Sequence, residues 1–246
     1  MSTNIPVSVV LVVFNEAEVI GEVVDGFHRH ITSKIPGSEL LVAEDGSSDG
    51  TKEILIEKKK SIPELRLEMK PSRQGYTLAF NSAIRAARNE LVLFCDASGK
   101  HDPKDYWSMV PSMETHDLVI GYKEDRQDPF YRIVLTRVFN ALVSMYFGVR
   151  FRDCNSPMRL FRRPMFEKIS QEPWLQAALV NFEFSLRAAA DGYKIKEVPV
   201  RHFARKHGAS RGLPVKKIPK AVLQTLGNFP KIKARFAKNP AKQMST

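Results

Sequence analysis

Apolar and polar positions along the chain switch between two periods. Val7 to Phe14 (VSVVLVVF) is a continuous β-branched and aliphatic run, too short for a helix and too uniformly apolar for a half-exposed strand. It predicts a buried parallel strand. Asn15-Glu16 then opens a stretch with Val19, Ile20, Val23, Val24 and Phe27 at helical spacing. Short apolar runs recur at Leu40 to Ala43, Leu65 to Met69 and Leu91 to Cys95, and an Ala-rich helical pattern covers Tyr76 to Ala87. Glu44-Asp45-Gly46-Ser47-Ser48-Asp49-Gly50 is a loop of small polar residues, with Asp49 placed to cap the helix that follows. Strands alternating with helices at this pitch imply right-handed crossovers and an α/β fold with a mostly parallel central sheet. Ligands of such sheets sit beyond the carboxyl ends of the strands. Asn15 and Glu16, Glu44 and Asp45, and Asp96 and Ser98 are the residues delivered there.

After a further short strand at Leu118 to Gly121, the pattern changes. Ile133 to Phe147 is amphipathic, with Arg137, Asn140 and Ser144 interrupting one side, and fits either a core-facing helix or one lying on a membrane surface. The longest apolar stretch, Ile133 to Val149, contains Arg137 and Asn140 and falls short of the ~20 residues a bilayer span needs. Phe182 to Ala190 reads as a helix ended by Asp191-Gly192, and Ile195 to Val200 as a last strand. Beyond it, apolar residues recur among lysines, with Pro214, Pro219 and Pro230 breaking the run. That pattern predicts short basic amphipathic segments rather than one long helix.

Charge sharpens this division. Residues 1–200 hold 26 Lys+Arg against 27 Asp+Glu, whereas residues 201–246 hold 12 against none. A neutral body with a wholly basic tail has nucleic acid, anionic lipid or a phosphorylated substrate as candidate partners. The tail lacks a nucleic-acid recognition motif, and the acidic strand ends would repel phosphates lacking a counter-charge, which argues against nucleic acid. Cys95 and Cys154 alone make no disulfide framework, and no basic leader precedes the first strand; both observations favour a reducing, cytoplasmic setting.

Seven pieces in order carry a resemblance. They are Phe14-Asn15-Glu16, Glu44 to Thr51, Gly75 with Ala79 and Asn81, Asp96-Ala97-Ser98, Val119-Ile120-Gly121, Asp153-x-x-Ser156 with Arg159-Leu160-Phe161, and Glu197 to Val200 followed by Arg205 and Gly208-x-Ser210. Together, over about residues 6 to 212, they resemble the family 2 glycosyltransferases, and within them the polyprenyl-phosphate branch typified by dolichol-phosphate mannose synthases. The resemblance implies a GT-A (Rossmann-like) domain over residues 1–212 with a basic amphipathic extension over 213–246, peripheral at the inner face of a membrane. It implies a nucleotide-sugar donor (UDP or GDP) and a polyprenyl phosphate acceptor. Val12, Phe14 and Glu16 would then line the nucleoside, Asp45 would face the base, Gly75, Ala97 and Ser98 would complete the donor site, and Asp96 would lie beside the ribose or diphosphate.

The departure from the family pattern lies at Asp-x-Asp, whose second Asp is here Ser98, with Lys100 two positions on. An ammonium group cannot ligate a metal. Three readings stay open: Lys100 supplies charge a metal would otherwise bring, Mg²⁺ or Mn²⁺ binds Asp96 with Asp102 or the diphosphate completing its shell, or the site is silent. On the acceptor side, the position where relatives acting on hydroxyls carry a general base falls at about Asn181, and an amide takes no proton at neutral pH. An acceptor that is already an anion needs no base. Arg126, Arg132, Arg205 and Arg211, with Lys206, His207 and Ser210, are the candidate phosphate ligands, and the resemblance gives Asp153 the role of orienting an arginine or the sugar. Arg162 and Arg163 read as solvated charges. A saccharide hydroxyl remains the alternative acceptor, and a separate membrane protein is a candidate partner.

Overall fold

The computed structural model describes residues 4–124, 130–175, 179–204 and 218–237. A seven-stranded sheet runs β3-β2-β1-β4-β6-β5-β7, with β1 at Val7–Val13, β2 at Glu39–Glu44, β3 at Leu65–Met69, β4 at Leu91–Asp96, β5 at Leu118–Lys123, β6 at Arg159–Arg162 and β7 at Ile195–Val200. All pairings are parallel except the two made by β6. The central strands are apolar on both faces because helices cover both. On one face α1 (Ile20–Phe27) and α2 (Thr51–Ser61) lie near each other, and Ile20, Val24, Phe27 and Leu55 pack with Val9, Leu11, Leu40 and Val42. On the other, α3 (Tyr76–Ala86), α6 (Arg163–Ile169) and α7 (Val180–Ala190) surround Val10, Leu41, Val92 and Phe94, with Phe80, Phe166 and Phe184 in edge-to-face contact. The short α4 (Tyr106–Met109) buries Tyr106 and Met109 in the first layer.

The parallel order predicted from periodicity is present, and β6, α6 and the short α4 are among the additions. The amphipathic segment becomes α5 (Phe130–Phe147). It buries Asn140, Val143 and Phe147, which gives it the core-facing role on that side, and it exposes Val138, Leu142 and Met145 on another. The prolines do not divide the last helix: α8 runs unbroken over Ile218–Ala237. Pro219 stands in the first turn, where its missing N–H has no intrahelical partner to lose, and Pro230 is tolerated while Phe229 and Ile232 beside it are anchored against α5 and α7. Among the described residues, no helix is long and apolar enough to cross a membrane.

Candidate functional site

Adjacency of β2, β1 and β4 sets their carboxyl ends side by side, with Val13 level with Glu44 and Val12 level with Asp96. The turn after β1 is built by Asn15, whose φ of 56° is left-handed and whose side chain accepts from Ser48 N at 2.8 Å, while its N–H reaches Ser47 Oγ at 2.8 Å. Asp49 does not occupy the cap position, which falls to Gly50 (φ 95°). It joins two loops instead, accepting from Ala17 N at 3.1 Å and from Thr51 Oγ1 at 2.6 Å. Glu16 is buried, its N–H donating to Thr51 Oγ1 at 2.9 Å.

Asp45 is buried and braces the neighbouring loop: one carboxylate oxygen accepts from Gln74 N at 2.8 Å and the other from Gly75 N at 2.9 Å. That loop passes directly over Gly46, where a Cβ would lie 2.3 Å from the Ser72 carbonyl carbon. Arg73 on the same loop sets its guanidinium 4.1 Å from the Phe14 ring centroid, a cation–π contact that places a charge in the expected nucleoside region. Val12 and Ala97 are core residues whose side chains point into packing, so of these two only backbone is offered to a ligand.

Asp96 is the chemical centre. Tyr76 Oη donates to it at 2.8 Å and in turn accepts from Asn181 Nδ2 at 2.9 Å. Burial raises the Asp96 carboxyl above the usual aspartate range, opposed by the Tyr76 hydrogen bond and by Lys123, Lys100 and Arg159. Burial and the Asp96 charge push the Tyr76 phenol well up, so it stays a donor. Asn181 Oδ1 is buried without a hydrogen-bond partner, so the amide at this position offers an unused acceptor oxygen and no basic group.

Sequence reasoning missed Lys123. It lies at the end of β5, its side chain 13% exposed and its Nζ 3.6 Å from Asp153, and it is the first cation acting on Asp96. Asp153 thus has a lysine, Lys123, beside its carboxylate. Beneath the group, Arg159 is wholly buried; it donates to Ser156 O at 2.7 Å, Cys154 O at 2.7 Å and Ser185 Oγ at 2.9 Å, and burial lowers it to about 10. A cleft of about 290 Å³ opens beside Asp96 and Ser98, between α1 and residues 98–104, walled by Val19, Val23 and Phe203. Arg162 and Arg163 fall outside this group, pairing with Glu90 and Glu167. Arg126, Arg205, Lys206, His207, Ser210 and Arg211 lie outside the described residues, and Arg132 is placed only as part of α5.

The donor set does not suit a divalent cation. Asp96 is a single carboxylate already holding a phenol, and lysines flank it. Asp102 is committed elsewhere: it accepts from Lys104 N at 2.9 Å and pairs with Arg201 at 3.0 Å. Among the described residues, no group of three His, Cys, Asp or Glu side chains converges.

The chain is 28% identical over 221 residues to the dodecaprenyl-phosphate galacturonate synthase of Rhizobium johnstonii, covering 85% of this chain and 64% of that protein. It is 26% identical over 215 residues to the polyprenol monophosphomannose synthase of Mycolicibacterium smegmatis, covering 82% and 79%. The chain therefore spans a little under two thirds of the first relative's length. In fold it is similar to a Pyrobaculum calidifontis mannosyltransferase solved with GDP-Man and Mn²⁺, at a TM-score of 0.68 and 21% identity, covering 99% of this chain and 71% of that one. The sheet with its single antiparallel insertion is a GT-A glycosyltransferase fold. The glycosyl transferase family 2 model matches residues 8–170, and the chain belongs to that family.

Proposed function

We propose that this protein is an inverting glycosyltransferase that moves a sugar from a UDP- or GDP-sugar to a polyprenyl phosphate at the inner face of a membrane. The observation that carries the reading is a buried carboxylate, Asp96, joined through the Tyr76 hydroxyl to the non-basic amide of Asn181, with the charges of Lys123 and Lys100 acting on it. A phosphate oxygen of the acceptor attacks the anomeric carbon as its bond to the diphosphate oxygen breaks, and the nucleoside diphosphate carries away the electron pair. No proton has to be removed from an ionised acceptor, which is why an amide suffices at Asn181. Lys123, oriented by Asp153, and Lys100 offset the charge developing on the diphosphate. Asp96, held by Tyr76, is assigned to the ribose or diphosphate, and Arg73 on Phe14 to the nucleoside site. Arg205 and Ser210 are assigned to the acceptor phosphate by their place in the family pattern, and Arg126, Arg132, His207 and Arg211 as further cations and donors that could hold it.

Metal use in this reading is weak, since Ser98 and Lys100 stand at the motif positions where the family pattern has metal ligands. The test is transfer from a panel of UDP- and GDP-sugars to polyprenyl phosphate, with EDTA or added Mg²⁺ or Mn²⁺. Turnover that survives EDTA and falls in Lys123→Gln and Lys100→Gln supports the assignment. Turnover abolished by EDTA returns the diphosphate to a metal on Asp96. Transfer only to saccharide hydroxyls, or nucleotide binding with no turnover, overturns the reading in favour of a hydroxyl acceptor or a silent binder.

A further inference from the structure

Glu197 and Gly121 belong to the sequence pattern, yet neither has a part in the chemistry described so far. The fold brings both against one loop, residues 150–158. Strands β5 and β7 run parallel at the end of the sheet, with Ile120 level with Glu197 and Lys123 level with Val200. Alternation along β7 sends Val198 and Val200 into the first core layer and Glu197 to the opposite face. There Glu197 Oε1 accepts from Arg152 N at 2.9 Å and from Asp153 N at 3.0 Å, and Oε2 accepts from Arg152 N at 2.8 Å. Further along the loop, Ser156 Oγ donates to Gly121 O at 2.5 Å, and Gly121 N donates to Met158 O at 2.9 Å. Gly121 has no room for a side chain, since a Cβ would lie 2.6 Å from Val200 Cγ1. The loop is therefore framed by the two strands at both of its ends.

What Glu197 holds there is main chain. An ion pair serving stability alone would take the Arg152 guanidinium, but that group goes to Tyr122, donating to its hydroxyl at 2.7 Å and lying 4.7 Å from its ring centroid. Glu197 takes the backbone N–H groups instead, and what they carry toward the site is the Asp153 carboxylate, 7% exposed and 3.6 Å from Lys123 Nζ. That distance is too long for a hydrogen bond and short enough for a Coulombic pull. The ammonium is steered without spending its N–H donors, as a lysine that must hold a ligand's oxygens requires. We infer that Glu197 is a positioning residue: it fixes the backbone of Arg152 and Asp153 so that the Asp153 carboxylate keeps the Lys123 ammonium at the diphosphate subsite. The diphosphate role of Lys123 rests on the proposed reaction, whereas the relay from Glu197 to Lys123 rests on the contacts themselves.

Calorimetry on the full chain reads the relay through the affinity advantage of a nucleoside diphosphate over its monophosphate, UDP against UMP and GDP against GMP. Glu197→Gln keeps the side-chain volume but sets an amide donor against the Arg152 N–H. It is expected to cut the diphosphate advantage at least about fivefold while monophosphate affinity stays within about twofold. Glu197→Asp restores both acceptor oxygens on a shorter stem and should recover part of the loss. Where a lowered melting temperature marks Glu197→Gln as misfolded, Glu197→Asp carries the same comparison. In an Asp153→Asn background, Glu197→Gln should cost less than about twofold more, because the relay runs through Asp153. Equal loss of monophosphate and diphosphate affinity, full additivity with Asp153→Asn, or an unmoved diphosphate advantage in both Glu197 variants overturns the inference. So does a wild-type chain with no diphosphate advantage. If the advantage depends on Glu197 through Asp153 while no sugar reaches any lipid phosphate, the relay stands and the proposed reaction falls. Transfer to polyprenyl phosphate with additive variants keeps the reaction and removes the relay.

Discussion

Tyr76 bridges Asp96 and Asn181 by hydrogen bonds, and its loss has a sign that can be worked out. A hydrogen bond to a charged group is worth ~1.5–3 kcal/mol, so Tyr76→Phe should lower kcat/KM at least about tenfold while leaving the fold intact. The phenol favours the ionised form of Asp96 against the burial that raises its pKa above the ordinary 3.8. The acid limb of the pH–rate profile therefore lies above that of a solvated aspartate, and in Tyr76→Phe it moves higher still. A purely structural role for the tyrosine would lower the plateau without moving the limb. In stability the sign is the reverse of a salt-bridged carboxylate: the folded state binds the proton more tightly than the unfolded one, so Asp96 stabilises at low pH and that contribution is lost as pH rises through its raised folded value. Gly46 gives a second prediction. At φ 76° with a Cβ 2.3 Å from Ser72 C and 2.4 Å from Arg73 N, Gly46→Ala forces the 72–75 loop off the Asp45 carboxylate. Nucleotide affinity should fall at least about tenfold by calorimetry, with a lower melting temperature. The placement of Asp45 and Asp96 at the ends of β2 and β4 was legible from the apolar runs that stop there. Lys123, Arg73 and Tyr76 were not, because a lysine at a strand end, an arginine in a polar loop and a tyrosine opening a helix all read as solvent-facing until the fold aims them.

At the scale of elements, the segment after β7 is stitched to the loop after β4. Arg201 donates from its backbone to Asp105 Oδ2 at 2.7 Å and from Nε to Asp105 Oδ1 at 2.9 Å, and reaches Asp102 at 3.0 Å. Phe203 N donates to Lys100 O at 2.8 Å, and His101 forms a bridge with His202. Residues 201–203 are thus held against the loop after β4 that carries Lys100. Arg201 is 52% exposed, so its ion pairs add little to stability, ~0.2–1 kcal/mol, and its value lies in position. Arg201→Ala should raise the acceptor KM several-fold, leave donor affinity within about twofold, and be partly rescued by Arg201→Lys; an equal loss for donor and acceptor would show that it does not act on the acceptor side. The fold itself was largely open to sequence reading where periodicity is strong, as in β1 and α3. It was closed where short length or charge masks burial: β6 is four residues bounded by arginines, one of them the wholly buried Arg159. Helix α8 was hidden by Pro230, since local propensity argues for a break that packing of Phe229 and Ile232 overrides.

For the whole molecule, the question is whether the basic C-terminal region is an appendage or part of the body. Charge divides the sequence near residue 200, and composition alone would let the last segment be removed without consequence for the rest. The packing argues otherwise for α8. Phe229 meets Phe147 at 4.9 Å and Phe182 at 5.9 Å between ring centroids, and Arg235 clamps Asp191 at the end of α7 through two hydrogen bonds of 2.9 and 2.8 Å. Removing a buried phenylalanine costs ~3–5 kcal/mol. For a chain of this size each kcal/mol shifts Tm by ~2–4 °C. Phe229→Ala should therefore lower Tm by ~6–12 °C or more in a scanning calorimeter, whereas Leu223→Ala, on the exposed side of the same helix, should leave it nearly unchanged. If both substitutions prove silent, α8 is an independent tail. If Phe229→Ala unfolds the core that α8 closes with α5 and α7, the basic helix and the catalytic body are one folding unit.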